Sequence, residues 1–525
     1  MNRINILSGK GKRSIFELLR KLPVLIVVIV LVAACFCVFP IKKHAKENVQ
    51  NNRNQANMQV DSDGLTATAL YNDIKTGWNL GNSLDAYYGE PTGDANFSQE
   101  TVWGQPKVTK QQIDYVASLG FNAIRIPVSW YYHSYRDENG NLIIHPDWLG
   151  RVKEVVDYAY SNNMYVFLDS HHDEKIIYVG AGANEFAKVS ADVQSIWTQI
   201  ATYFADYDNH LVFEAYNEVG DFEKCWIYND FAAKQLNALN QVFVDTIRAT
   251  GGKNAGRVLM VPTLLDGPGG KFLTSFELPN DTVSDRLLVT VHFYTQCYDQ
   301  ELDESFDKME EFSQKTKTPV VIGEWGTTTS YKPAKYRVIN ASNFIARATE
   351  HNLKCIYWDN GSDFAIVDRT KLTAQMDIID AIMNPQPYTS DGEIIGSKFS
   401  DYIYMTIDPD TGETKEDNFW GTLALDLNGS GYPIPDGAIG LSLCLKISGG
   451  MKNQAIHYLY FYDKNGKLID GDHDWNGYTE KLVEIPVGAK NFRIGITRAT
   501  TTTTKNMYVD GFVNGDIKPT IRFVY

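Results

Sequence analysis

Two glutamates, each closing a short apolar run, are the residues whose type and placement could do chemistry. Glu218 ends LVFEAYNEVGD (Leu211–Asp221), an alternating, aromatic-rich stretch that breaks at Gly220; Glu324 follows the apolar start of VVIGEWG (Val320–Gly326). Runs of this length and period read as buried strands. A carboxylate where a strand runs out at the open face of an α/β barrel is placed for chemistry rather than packing. Two of them from different strands suit glycoside hydrolysis, one protonating the departing oxygen while the other attacks the anomeric carbon, about 5–5.5 Å apart for retention.

Other predicted strand ends offer polar groups to the same rim. Arg125 lies inside the apolar GFNAIRIP, and a buried guanidinium must be paired, with a carboxylate the obvious partner. Glu214 falls on the same strand face as Glu218 by alternation and suits that structural pairing. His171 and His172 follow the third strand in LDSHHD, Asn217 precedes Glu218, His292 and Tyr294 end the sixth strand in VTVHFYT, and Trp358 ends the eighth. Asn82 and Asp85 follow the first strand, and Trp103, Trp130, Tyr131, Tyr178 and Trp226 fall on loops near the mouth, as candidates to line sugar subsites. Each signal is weak alone. Their ordered recurrence at successive strand ends is what makes them one site.

The elements that must position them alternate at the pace of a (β/α)8 TIM barrel. Strands are expected at Thr76–Leu80, Ala123–Pro127, Tyr165–Ser170, Leu211–Tyr216, Arg257–Val261, Leu288–His292, Val320–Gly323 and Lys354–Trp358. Amphipathic helical runs fall at Thr109–Leu119, Trp148–Asn162, Val193–Tyr207, Phe231–Ala249, Asp303–Thr316, Lys335–Glu350 and Ala374–Met383, the last stopped by Asn384-Pro385. The barrel is bounded at 65–387. Across 388–525 the texture changes to short alternating runs (Tyr402–Ile407, Leu441–Ile447, His457–Tyr462, Phe492–Thr497, Met507–Val513), which read as a C-terminal all-β sandwich domain. That domain is a possible carbohydrate-binding module with Trp420, Tyr432, Trp475 and Tyr478 as platform aromatics, or else a structural spacer.

Composition narrows the partners. A net charge of −15 over 525 residues argues against nucleic acid, since neutralising phosphates takes clustered Lys and Arg. With 30 Tyr, 25 Phe and 10 Trp, aromatic faces are available for sugars, although core packing accounts for most of them. The six cysteines show no metal-ligand spacing; Cys225 and Cys297 both follow strand ends, where a disulfide across the mouth and two free thiols are the alternatives. Residues 1–21 are basic, and Leu22–Ile41 is an uncharged apolar run long enough to span a bilayer as a helix. Basic residues ahead of it favour a cytoplasmic N-terminus. An uncleaved signal anchor is the preferred reading; the alternative is a lipoprotein signal with Cys35 in VAAC lipidated. Residues 42–64, polar and poor in large apolar side chains, read as a flexible linker. The expected location is the cell membrane, with the catalytic part outside and the chain a monomer.

The barrel resembles glycoside hydrolase family 5. GWNLGNSLDAY (Gly77–Tyr87), GFNAIRIPVSW (Gly120–Trp130), LDSHHD (Leu168–Asp173), Asn217-Glu218, HFYT (His292–Thr295), GEWG (Gly323–Gly326) and WDNGS (Trp358–Ser362) match its pattern, closest to the subfamily of bacterial endo-β-1,4-glucanases, xyloglucanases and lichenases. One departure is Val219, where the family usually has proline. The resemblance implies double displacement on β-glucan, with Glu218 as acid/base and Glu324 as nucleophile. Asn217 would donate to the sugar 2-hydroxyl, Trp358 would be a stacking platform, and Arg125, His171, His172, His292 and Tyr294 would bind substrate or support the pair, while Asn82 and Trp130 are substrate-binding candidates by their place near the mouth. No cofactor and no metal are expected: a catalytic zinc would need three converging ligands, and would leave the two glutamate motifs unexplained. A β-mannanase or xylanase on the same barrel, or a non-catalytic surface carbohydrate-binding protein, are the other readings.

Overall fold

Period-two runs become strands and the longer amphipathic runs become helices, in alternation. The computed structural model describes residues 64–221, 227–295, 300–329 and 335–387, and in the C-terminal region 390–391, 402–407, 414–416, 422–425, 431–447, 458–472, 480–498 and 517–524. Eight parallel strands close into a barrel in sequential order: β1 (Gly77–Leu80), β2 (Ala123–Ile126), β3 (Tyr165–Leu168), β4 (Leu211–Glu214), β5 (Leu259–Pro262), β6 (Leu287–His292), β7 (Val320–Trp325) and β8 (Lys354–Asp359), which returns to pair with β1. All lie within two residues of their expected bounds. Helices α2 (Lys110–Ser118), α3 (Pro146–Tyr160), α4 (Ala183–Tyr203), α5 (Asp230–Ala249), α6 (Gln300–Thr316), α7 (Lys335–Glu350) and α8 (Met376–Met383) ring the barrel after α1 (Ala67–Asp73), and the connection after β5 holds the 3-10 turn Leu264–Asp266 and the four-residue helix Lys271–Thr274.

Alternation along each strand decides what faces inward. Outward residues such as Ile124, Val166, Phe213, Val261, Val289 and Ile322 pack under the helices. The inward set begins apolar, with Ala123, Phe167, Val212, Met260, Leu288, Val321 and Ile356 in one cluster. One step further along the chain it turns polar: Ala123 gives way to Arg125, Phe167 to Asp169, Val212 to Glu214, and Leu288 to Thr290 and then His292. The barrel is therefore dry at its N-terminal end and polar at its C-terminal mouth.

A floor seals the dry end. Helix α1, capped by Thr66 accepting from the Ala69 N–H at 3.1 Å, sets Ala67, Leu70 and Tyr71 into the apolar cluster. The Tyr71 hydroxyl meets the carbonyls of Val320 (3.0 Å) and Asn352 (2.6 Å). The sequence pattern gave no signal of this helix, nor of the hairpin Ser134–Arg136/Leu142–Ile144 in the loop after β2.

The C-terminal region forms two antiparallel sheets. Four strands order as Ser390–Asp391, Ile517–Val524, Gly440–Ile447 and Glu480–Glu484. The other sheet has seven strands, among them Tyr402–Ile407, Asn491–Arg498 and Tyr458–Tyr462. Phe492 of one sheet and Phe523 of the other approach to 6.1 Å between ring centroids. The strand Ile517–Val524 lies beyond the expected runs, and it carries Pro519, a residue that cannot donate to a ladder. Pro519 lies opposite Leu445, and among the described residues the strand's other neighbour pairs at Phe523 and Val524. The expected strand Met507–Val513, the apolar run 22–41, the pair Cys225 and Cys297, and Trp226, Trp420, Trp475 and Tyr478 lie outside the described residues. Among the described residues no helix is long and apolar enough to cross a membrane, and Cys355 is a free buried thiol.

Candidate active site

Arg125 is the hub of the mouth. Fully buried, it presents its guanidinium to side chains from four other strands or strand ends. Nε and Nη2 donate to the two oxygens of Glu214 at 2.7 and 2.9 Å, and Nη1 donates to Glu324 at 2.7 Å and to Asn79 at 3.1 Å. Nη2 also donates to the Asn217 side-chain oxygen at 3.0 Å and lies 2.7 Å from Asp169. The register explains the convergence, since Asn79 sits opposite Arg125 across the β1–β2 pair and Glu324 opposite His292 across β6–β7. The expected Arg125–Glu214 pairing is present. Arg125 exposes no surface, so its expected place among substrate-binding residues is corrected: it holds the groups around it.

The two glutamates lie close together in different surroundings. One oxygen of Glu218 and one of Glu324 are within 4.8 Å of each other, and both within that distance of a His292 nitrogen. Glu324 is held by Arg125 and by the Tyr294 hydroxyl at 2.9 Å. Burial, with the charge of Glu218 adding to it, holds its carboxyl above the ordinary range, against the opposing pull of His292, Arg125 and the Tyr294 hydroxyl. Glu218 contacts His292 Nδ1 at 2.9 Å and keeps 24% of its side chain exposed. Burial pushes Glu218 up to about 7, against the opposing charges of Arg125 and His172. Burial, rather than the charge of Glu324, is the largest cause of that rise. Burial also lowers His292 to about 4, so that ring is neutral near pH 7. A carboxyl tied to a cation beside one lacking it separates a proton holder from an anion.

Local backbone fixes where Glu218 points. A residue before proline is pushed into extended backbone; with Val219 following, Glu218 instead turns left-handed at φ 47°. Its N–H is received by Asp266 Oδ2 at 2.6 Å. Gly323 leaves room for Thr290 and the His292 ring, because a Cβ there would lie 2.5 Å from Thr290 Oγ1. Gly81 does the same for Trp358, whose Cη2 would be 2.8 Å from an added Cβ.

Around the pair, His171 stacks parallel to Trp358 at 5.6 Å and is oriented by Asp169 at 2.8 Å. His172 meets Glu174 at 3.2 Å and stands edge-on to Trp103 at 5.3 Å. Asn217, whose oxygen Arg125 holds, has its amide nitrogen left to donate. A cavity of about 150 Å³ adjoins Glu218 but not Glu324, with Tyr178, Ile177, Val219 and Leu265 among its walls. Trp130 departs from expectation: it is fully buried, with its ring N–H on the Asp169 carbonyl, and has no face to offer a ligand. Asp85 is also fully buried and receives the backbone N–H groups of Asn82 (2.9 Å) and Ser83 (2.6 Å), which makes it a loop brace rather than a subsite wall. Asn82 takes left-handed backbone there at φ 57°.

Three supporting residues escaped the sequence reading. Asn79 ties Arg125 to the Gly323 carbonyl at 3.0 Å, Asp169 bridges Arg125 and His171, and Asp266 receives Glu218. For Asp169 a signal existed, since it shares a strand face with Phe167 and precedes His171 by two. Two groups at the mouth have the ligand types for a metal, Glu218–His292–Glu324 and Asp85–His171–His172. In the first the His292 Nδ1 already serves Glu218, and in the second the Asp85 oxygens already serve backbone N–H groups.

Comparison with known proteins gives a consistent picture. A family model described as cellulase (glycosyl hydrolase family 5) matches residues 86–364. Endoglucanase 1 of Ruminococcus albus is 32% identical over 354 residues, spanning 62% of this chain and 82% of that one. Among solved structures, a GH5-4 broad specificity endoglucanase from Ruminococcus champanellensis with bound cellotriose is 35% identical with a TM-score of 0.58, covering 61% of this chain and 99% of that one. A glycoside hydrolase 5 lichenase from Caldicellulosiruptor sp. F32, as a mutant with cellotetraose, is likewise 35% identical with a TM-score of 0.57, covering 60% and 94%.

Proposed function

The chain belongs to the cellulase family, glycosyl hydrolase family 5, and from that premise we propose that it cleaves internal β-1,4 bonds of β-glucan by double displacement, with Glu324 as nucleophile and Glu218 as acid/base. It is a glycoside hydrolase of the endo-β-1,4-glucanase type. The observation that carries the mechanism is the approach of two strand-end carboxylates to within 4.8 Å, on the retaining side of the roughly 6.5–9.5 Å used for inversion. Glu324, ionised beside Arg125, attacks the anomeric carbon while Glu218 gives its proton to the departing oxygen. Once Glu324 is an ester its charge is gone, and Glu218, now a carboxylate, takes a proton from the incoming water. His292 then stabilises that carboxylate. Asn217, with its donor nitrogen outward, suits the sugar 2-hydroxyl, and Trp358 backed by His171 suits a sugar face. The cavity that touches Glu218 alone suits the leaving sugar, because the acid works on that side of the bond.

A hydrolysis panel of carboxymethylcellulose, mixed-linkage glucan, xyloglucan, xylan and mannan tests the substrate class: release from the glucans and not from mannan or xylan supports it, and the reverse refutes it. Glu324→Gln should abolish turnover and leave glucan retention in an affinity gel intact; wild-type turnover would refute the assignment. We also place the catalytic part at the cell surface, tethered through the apolar run 22–41, and the C-terminal sheets as a carbohydrate-binding sandwich. Release of the full chain by high salt would refute the tether. Failure of residues 390–525 to bind any glucan would refute the module.

A further inference from the structure

Behind Glu218 lies a group that no part of the double displacement uses. Asp266 is fully buried in the loop after β5, on two successive non-glycine residues in left-handed backbone, Leu265 (φ 56°) and Asp266 (φ 49°). Such conformations cost of order 1–3 kcal/mol each and persist where the surroundings hold them. One oxygen, Oδ2, receives the Glu218 backbone N–H. The other, Oδ1, faces His292 Nε2 at 4.0 Å, and neither atom has a hydrogen-bond partner among the described residues. Thr290 Oγ1, two residues before His292 on the same strand, also lacks one among the described residues. Buried polar atoms are seldom left unpaired, and the exceptions gather at working sites.

We propose that Asp266 is a positioning residue for the acid/base, fixing both the backbone turn of Glu218 and, through His292, which oxygen of Glu218 carries the transferable proton. The proposal rests on the reading of Glu218 as acid/base. Burial, with Glu214 and Glu218 nearby, holds the Asp266 carboxyl well above the ordinary range, which favours the protonated form, and the pairing with His292 Nε2 uses that form. Its O–H directed at Nε2 makes that nitrogen an acceptor and leaves the hydrogen of the neutral ring on Nδ1. That N–H then donates to Glu218 Oε1, so the acid's own proton sits on Oε2, toward the glycosidic oxygen. When Glu218 ionises the same N–H receives the anion without a change of tautomer. Hydrogen bonds of this kind are often long without substrate and tighten in the complex.

The test uses leaving groups. An aryl glycoside such as 2,4-dinitrophenyl β-cellobioside departs without protonation, so kcat/KM for it reports nucleophilic attack alone. Asp266→Ala should lower kcat/KM on mixed-linkage glucan by about tenfold or more while the dinitrophenyl substrate changes by less than about twofold, since general acid catalysis carries roughly 10²–10⁴. Asp266→Asn, which can accept from Glu218 N–H and donate to His292 Nε2, should recover most of the loss. Equal losses on both substrates, no loss on either, or D266N as impaired as D266A would overturn the proposal. Should D266A fail to fold, D266N still decides, because a glucan-to-aryl ratio displaced about tenfold from wild type contradicts a neutral donor at 266. Glu218→Ala is the reference. If it shows no split, the acid/base reading itself fails; if it splits and D266A does not, only the role of Asp266 falls.

Discussion

Tyr294→Phe isolates a single contact of Glu324, the proposed nucleophile. The ring is 41% exposed at the rim, so the fold should tolerate losing the hydroxyl, with a stability change within about 0.5 kcal/mol. What goes is one O–H donated to the Glu324 carboxylate at 2.9 Å. A hydrogen bond to a charged group is worth about 1.5–3 kcal/mol, and the exposure argues for the lower end, because water replaces part of it. About 1.4 kcal/mol is one pKa unit, so Glu324 should rise by about one unit. The bond favoured the ionised form, hence its removal raises the pKa, a smaller fraction of Glu324 is anionic at any acidic pH, and the acid limb moves upward. Glu218 makes no contact with the hydroxyl and should keep its limb. The assay is kcat/KM on mixed-linkage glucan from about pH 4 to about pH 9. The bell should narrow from its acid side by about one unit. An acid limb that stays put or moves down, or a shift confined to the alkaline limb, would refute the assignment of Glu324 as the group that must be ionised.

Further outcomes follow from the same geometry. Arg125→Met leaves Glu214, Asp169 and Glu324 buried without their cation and should destabilise the protein by about 3–5 kcal/mol, seen as a lowered Tm. Gly323→Ala drives a methyl to 2.5 Å from Thr290 Oγ1 and should cost about 1–3 kcal/mol in denaturant unfolding, against the smaller effect of a surface substitution. The wild-type alkaline limb on glucan should fall near 7, where Glu218 loses its proton, and vanish with the dinitrophenyl substrate; a limb in the ordinary carboxylate range would contradict the role of burial.

The pattern of the chain carried the barrel well because period-two runs and strand-end polar groups are local facts. Glu214 could be paired with Arg125 from alternation alone, and the pair is there. Trp130 misled because a tryptophan near a strand end offers the same sequence signal whether it faces solvent or, as here, turns inward to the Asp169 carbonyl. Asp266 was invisible for a different reason. It reaches Glu218 across 48 residues from a loop whose left-handed turns use leucine and aspartate, where glycine would have announced them. Helix α1 carries too short an apolar face for periodicity to show; its Tyr71 finds partners 249 and 281 residues away. What was legible was what neighbours in sequence decide, and what was missed is made by contacts between distant loops.

The arrangement of the two glutamates is tested most directly by following product anomers with proton NMR during the first turnovers on a soluble β-glucan. Carboxylates within 4.8 Å leave no room for a water to attack from the face opposite the leaving group, so β-anomers should form first and mutarotate afterwards to the α form. First-formed α-anomers would mean single displacement and would contradict Glu324 as a nucleophile.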